Sequence, residues 1–304
     1  MNGPPAKQPL TKLPPKMGTS PLNAKRDKVT QVVDPKRVYT LNTQGRTRGS
    51  KILIYGASGM GKTTLACTAP DPVFVAADDG IDVVTHPVTN AVVPNYKAPT
   101  YQDVRNILGQ PKLFEGFKTI VLDTMTEVEN LAVPYILENI TRDGKQVKNL
   151  EGYGWGSGYG YLAEHDGYIK SDLQRLCDLG FNVIVICQMA PRKETSAAVE
   201  EYLKDGPKLV WRPSSKAYAV TDFVEWSDYC FKIGYGDLTV VKKHATSSGK
   251  RVIYTQPETH FEAKFRERGM TASAVSFDGP ADDSIWRFVF DQAWKDIPEE
   301  TANE

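Results

Sequence analysis

The sequence predicts an α/β fold built on a mostly parallel sheet with helices on both faces, and three observations carry that prediction. Short, nearly all-apolar runs recur through the middle of the chain, as expected of strands buried on both faces. Segments with helical spacing or helix-start signals alternate with them. A glycine-rich turn with phosphate-binding spacing joins the first of these strands to a helix.

Lys51–Tyr55 (KILIY) reads as a short buried strand, and Val73–Ala77 (VFVAA) as a second. Thr100 followed by Asp103 has the form of a capping box, opening a helix that ends near Gly109. Lys118–Leu122 (KTIVL) is a third strand. Leu162, Ile169, Leu173, Leu176 and Leu179 recur at helical spacing over Tyr161–Leu179, with Gly180 suited to close the helix. Phe181–Cys187 (FNVIVIC) has the composition of a central parallel strand. Asp228–Ile233 and Leu238–Lys242 flank Gly-Tyr-Gly-Asp and read as a hairpin, followed by a strand over Arg251–Thr255. Ser284–Trp294 reads as a helix that packs through Trp286, Phe288, Val289 and Trp294.

At 304 residues the chain allows two domains, or one large domain with tails. Hydrophobic residues make up 40% and charged residues 24%, an ordinary globular composition that excludes collagen-like, coiled-coil and wholly disordered readings. No apolar run approaches the ~18 residues of a membrane span, and the polar start lacks a signal-peptide core. Four scattered cysteines form no ligand or CxxC spacing, so they read as reduced thiols of a cytoplasmic protein. The histidines show no metal-ligand spacing either. Lys+Arg 37 balances Asp+Glu 37, but unevenly along the chain. Residues 1–48 are basic and proline-rich with few large apolar groups, and read as a flexible arm. That arm is either a solvated tail or a contact to DNA or a neighbouring subunit. The end after Lys295 is acidic.

The strongest chemical signal is Gly56-Ala57-Ser58-Gly59-Met60-Gly61-Lys62-Thr63, a full GxxxxGK[ST] followed by Thr64. It lies between a strand and the helix Thr63–Thr68, the context in which the motif cradles nucleotide phosphates on backbone N–H groups. Lys62 is then the residue for the β- and γ-phosphates, and the Thr63 hydroxyl a ligand for Mg²⁺. Asp123, ending the KTIVL strand, is positioned to support that metal, or else caps the helix beginning near Thr124. Asp78 and Asp79 follow the VFVAA strand and are candidates to orient an attacking water; two adjacent carboxylates suit a turn equally well.

The ordered set of phosphate loop, Ala-Ala-Asp78-Asp79-Gly80, TIVLDT, a Gly/Tyr-rich stretch, VIVIC-Gln188 and Phe223-Val-Glu-Trp-Ser-Asp228 resembles the RecA-type recombinase core. It is most similar to the short phage-encoded RecA-like ATPases of single-strand annealing recombination, over roughly residues 50–268. Ala263-Lys-Phe-Arg266 resembles that family's closing Lys/Arg motif; the position of Asp78 is usually glutamate there. The resemblance implies a RecA-like P-loop NTPase core over 49–268, between the arm (1–48) and a C-terminal helix with acidic tail (269–304). It further implies Mg²⁺ and ATP as cofactors, hydrolysis with Lys62, Asp78 and Gln188 in catalytic roles, and an ATP-organised homo-oligomer. Lys264, Arg266 and Arg268 are candidate fingers reaching a neighbour's phosphates, or else a solvated charge run.

Two segments match that family's DNA loops. Tyr153, Trp155, Tyr159 and Tyr161 interleave with glycines, which suits stacking on single-stranded bases or packing onto the core. Met189–Leu209 reads as a long polar loop in which Arg192 and Lys193 are phosphate contacts among glutamates. Single-stranded DNA is therefore the expected partner, a single-strand-binding protein a candidate further one, and a membrane is not expected. The alternatives are a non-hydrolysing nucleotide-binding scaffold for annealing, and a P-loop nucleotide or small-molecule kinase.

Overall fold

A computed structural model describes residues 48–291 except 197–198, 210–222, 238, 242–243, 268–269 and 271. The expectations for the basic arm, the acidic tail, Trp294 and Arg268 lie outside the described residues.

A ten-stranded sheet organises the protein, in the order β12-β10-β7-β1-β5-β4-β2-β3, with β11 also on β7 and β6 on β5. Its parallel centre comprises β1 (Lys51–Gly56), β2 (Pro72–Ala76), β3 (Asn95–Lys97), β4 (Thr119–Asp123), β5 (Asn182–Ser196) and β7 (Tyr229–Tyr235). Antiparallel strands β10 (Arg251–Tyr254), β11 (Lys264–Phe265) and β12 (Ala274–Phe277) extend it beyond β7. This is the mostly parallel α/β core with C-terminal antiparallel strands that the sequence predicts. β1 and β4 are separated by β5 alone, so the C-terminal ends of β1 and β4 flank β5 at Ile186–Gln188.

Period-two alternation sorts each central strand into two cores. Leu53 and Tyr55, with Val183, Val185 and Cys187, face α2 (Tyr101–Leu108), α3 (Met125–Asn139) and α4 (Ser157–Asp178). Ile52, Ile54, Ile184 and Ile186 face α1 (Lys62–Cys67) and the C-terminal turn Ser284–Trp286. The capping box holds: the Thr100 side chain accepts from the Asp103 N–H, and the Asp103 side chain accepts from the Thr100 N–H.

Four expectations change. Met189–Leu209 is no loop: β5 continues to Ser196 and pairs antiparallel with β6 (Val199–Pro207), placing Arg192 opposite Lys204. Mixed charge hides a strand whose charged side chains pair within β5, with Glu262 and with Lys232 rather than forming an apolar stripe. Within the expected hairpin, Tyr229–Ile233 and Thr239–Val241 do not pair, because β7 is already taken by β1 on one edge and by β10 and β11 on the other. Instead β8 (Thr239–Val241) pairs with β9 (His244–Thr246). Finally, α4 begins at Ser157, inside the Gly/Tyr stretch, and the segment from Ser284 is a single α-helical turn running into a π-helical turn over Arg287–Asp291.

Candidate nucleotide-binding site

β1 is buried along its whole length and delivers the chain to Gly56, where the sheet allows no side chain: a Cβ there would lie 2.7 Å from the Ile233 carbonyl oxygen. Ala57, Ser58 and Gly59 form an exposed rim, whereas Met60 is buried. Gly61 adopts the left-handed conformation (φ 93°) as the N-cap of α1, which favours glycine. Lys62 follows on the first turn, with Thr63 and Thr64 half-buried beside it.

The Lys62 ammonium is buried and donates to the carbonyls of Gly56 (3.0 Å) and Ala57 (2.9 Å) and to Gln188 Oε1 (3.1 Å). Burial lowers its pKa below the ordinary lysine value, opposed by the negative field of Asp123. Thr63 Oγ1 donates to Asp123 Oδ2 at 2.7 Å. Asp123 is 7% exposed, and burial pushes its carboxyl up to about 6 against the opposing Thr63 hydrogen bond. A buried carboxylate whose charge is disfavoured, beside a hydroxyl, is a hard-oxygen donor set that a divalent cation suits. Mg²⁺ characteristically takes one or two such protein ligands and completes its shell with water and phosphate oxygens. Thr63 and Asp123 therefore fit the metal the motif implies. Among the described residues there is no cluster of three or more His, Cys, Asp or Glu able to hold one. Thr124, not Asp123, caps α3 by accepting from the Glu127 N–H.

Gln188 stands at the C-terminal end of the buried part of β5, where the ribbon begins. Its own N–H donates to Thr126 Oγ1 (3.0 Å), and Thr126 donates to the Lys208 carbonyl (2.9 Å). Lys208 N–H returns to the Gln188 carbonyl at 2.6 Å. Thr126, which the sequence did not single out, thus ties α3 to β5 and to the residue that follows β6, at the point where Gln188 meets Lys62. Asp78 is exposed, and its Oδ1 accepts from the Gly80 N–H at 2.9 Å as the N-cap of the 3-10 turn Asp79–Val83.

The other candidates lie further out. Trp155 is fully exposed with φ 51°, between Gly154 and Gly156. Tyr153 is buried instead, its hydroxyl donating to the carbonyls of Ile136 (3.1 Å) and Ile140 (2.7 Å) and its ring 5.1 Å from that of Tyr161. Tyr159 is half-buried and donates to Glu151. Arg192 is taken by Glu194 (2.7 Å) and Glu262, and Lys193 is exposed on the ribbon. Lys264 directs its ammonium at three carbonyls of its own chain, those of Val224 (3.0 Å), Glu225 (2.9 Å) and Ser227 (2.7 Å). Arg266 is half exposed and pairs with buried Asp228 (3.1 Å), which also binds Arg48 (2.9 Å). In this arrangement Tyr153, Arg192 and Lys264 serve the fold of their own chain, which the charge and aromatic content of their segments did not reveal.

A family model described as an AAA domain matches residues 48–267, almost the whole described core. The SPbeta prophage-derived uncharacterized protein YorG of Bacillus subtilis (strain 168) is 23% identical over 150 residues, which is 48% of this chain and 43% of that protein. The chain thus matches less than half the length of this curated relative. Among solved structures, the flagellar accessory protein FlaH from Methanocaldococcus jannaschii is 10% identical, with a TM-score of 0.39 over 76% of this chain and 85% of that one. A KaiC-like protein from Pyrococcus horikoshii OT3 is 13% identical, with a TM-score of 0.40 over 77% and 88%. Likenesses of that size assign nothing by themselves. No helix among the described residues is long and apolar enough to cross a membrane.

Proposed function

Because the chain belongs to the AAA domain family, we propose that it is a Mg²⁺-dependent ATP hydrolase that binds single-stranded DNA, acting in phage DNA recombination by annealing or strand exchange. It works as an ATP-organised homo-oligomer in the cytoplasm of the host bacterium, the phage setting resting on the prophage-derived relative. The observation that carries the nucleotide reading is the meeting of Lys62, Thr63, Asp123 and Gln188 at the ends of adjacent parallel strands. The DNA reading rests on the exposed, glycine-flanked Trp155 and on the ribbon rooted at Gln188.

In this reading the loop backbone binds phosphate oxygens, and Lys62 leaves the Gly56 and Ala57 carbonyls to contact the β- and γ-phosphates. When bound, Mg²⁺ supplies positive charge against the phosphates, held by Thr63 and Asp123. Asp78 orients the water for in-line attack on the γ-phosphate. Gln188, released by Lys62, is free to report the state of the γ-phosphate to the ribbon. Arg266 is the candidate finger left to reach a neighbour, and a single-strand-binding protein is a further partner to test.

The test is Mg²⁺-dependent ATP turnover by the wild type and Lys62→Ala. Loss of turnover in the variant supports the reading, and unchanged turnover sinks it. One observation favours a second reading, a non-hydrolysing module in which nucleotide only organises the oligomer. Asp78 is a short carboxylate already engaged with the Gly80 N–H. Wild-type protein that binds ATP with Mg²⁺ yet turns none over identifies that case.

A further inference from the structure

The phosphate loop and α1 are gripped at both ends by the C-terminal antiparallel strands and the turn that follows them. At the back, Trp286 Nε1 donates to the Leu65 carbonyl (3.2 Å) and to Thr68 Oγ1 (2.9 Å), closing the last turn of α1. At the front, the Arg251 guanidinium lies over the Phe277 ring, 4.6 Å from its centroid, and Nη1 donates to the Met60 carbonyl at 3.1 Å. Contact with the loop is tight: a Cβ on Gly61 would lie 2.8 Å from Arg251 Nη1 and 3.0 Å from Phe277 Cε1. Among the described residues no carboxylate pairs with Arg251. Its position on β10 comes from pairing with Tyr235 of β7, well outside the motif.

A trans peptide is planar, so its C=O and N–H point in opposite directions. Anchoring the Met60 carbonyl on Arg251 therefore turns the Gly61 N–H to the side facing away from Arg251. Gly61 itself contributes no side chain to hold that orientation, and α1 has no side-chain N-cap. The stack on Phe277 restrains the guanidinium that does hold it.

We propose that Arg251 is a positioning residue for nucleotide binding, which aims the Gly61 N–H at bound phosphate by holding the Met60 carbonyl, with Phe277 as its support. The inference rests on the nucleotide-binding reading of the loop and deepens it: affinity for the polyphosphate is set partly by a residue 191 positions away. A backbone N–H lost to a charged acceptor weakens binding by about tenfold or more.

The experiment is equilibrium binding of a fluorescent ATP analogue with Mg²⁺, alongside nucleotide-free thermal melting, for Arg251→Met, Arg251→Lys, Phe277→Leu and Lys62→Ala. Arg251→Met keeps the stem but has no donor, and is expected to bind about tenfold more weakly while melting within a few degrees of wild type. Arg251→Lys, whose ammonium still reaches the Met60 carbonyl, is expected to recover most of that loss, which a purely structural role would not require. Phe277→Leu frees the guanidinium and is expected to weaken binding severalfold. Wild-type affinity in both Arg251→Met and Phe277→Leu overturns the inference, as does Arg251→Lys binding no better than Arg251→Met. Binding that Lys62→Ala abolishes while both of those variants keep it overturns the inference alone. No nucleotide binding by the wild type removes the nucleotide reading and the inference together.

Discussion

The phosphate loop and the two candidate DNA segments differ in where their singled-out side chains go. At the loop, residues as far apart as Lys62 and Gln188, 126 positions, converge on one another across the ends of parallel strands. In the Gly/Tyr stretch and the ribbon, most turn to their own chain: Tyr153 to the α3 carbonyls, Tyr159 to Glu151, Arg192 to Glu194 and Glu262. A spacing motif prescribes a backbone path, and with it the place of each side chain. Composition prescribes only what a side chain is able to do, and the nearest partner then decides what it does.

The contrast is sharpened first by the variant with the largest expected effect. Lys62→Ala removes a cation from bound phosphate and is expected to weaken ATP binding on the order of a hundredfold. Nucleotide-free melting should change far less than affinity does; a collapse of the fold instead would give Lys62 a structural task. Next comes Tyr153→Ala, which empties a buried aromatic site and takes a donor from the Ile140 carbonyl, lowering stability by about 3 kcal/mol. Denaturant unfolding checks it, and an unchanged midpoint would mean that the ring is not needed in the core.

Asp123 offers a pH test in metal-free, nucleotide-free protein. Its folded pKa, about 6, lies above the ordinary aspartate value, so the folded state holds a proton that the unfolded chain has released. Stability therefore falls as pH rises from about 4 to 6. Above that window the ionised, buried carboxylate is expected to cost on the order of 2–3 kcal/mol. Asp123→Asn keeps an acceptor for Thr63, so it is expected to melt higher than wild type at pH 7.5 in EDTA, with the slope between pH 4 and 6 flattened. The same variant should lose Mg²⁺-dependent nucleotide affinity. Equal melting of both proteins across that range would contradict the burial argument.

Trp155→Ala is the counterpart of Tyr153→Ala two residues earlier. Exposed at the tip, Trp155 contributes little to folding and is expected to contribute ~1–3 kcal/mol to single-strand binding. Fluorescence anisotropy with labelled oligo-dT reads the loss; unaltered affinity would move the DNA surface elsewhere. Smallest of all, Trp286→Phe keeps the ring in the second core but removes the donor to Leu65 and Thr68, at about 1 kcal/mol by thermal melting.

The same contrast explains how much of the molecule was legible in the sequence. The central strands announced themselves because burial on both faces leaves them nearly all apolar, and Thr100 with Asp103 marked a helix start through local hydrogen bonds. That Lys62, Thr63 and Asp123 meet was legible because the GxxxxGK[ST] spacing and a carboxylate ending an apolar strand place them together. The ribbon of β5 and β6 was not, since its half-buried face carries charged side chains such as Arg192 and Lys204 in place of an apolar stripe. Nor was α3 easily read, with Pro134 inside its apolar pattern. Thr126 and Arg251 lay beyond reach for another reason: Thr126 bonds Gln188 and Lys208, and Arg251 bonds Met60, all distant in sequence and brought together by the tertiary arrangement rather than by any local signal.

The measurement that tests the account most directly is Mg²⁺-dependent ATP hydrolysis with and without oligo-dT, by wild type, Trp155→Ala and Lys62→Ala. The account predicts turnover that oligo-dT raises severalfold, a raised oligo-dT requirement in Trp155→Ala with the basal rate preserved, and no turnover in Lys62→Ala. Turnover indifferent to oligo-dT in the wild type would contradict it, leaving a phosphate-loop enzyme with no single-strand surface coupled to its site.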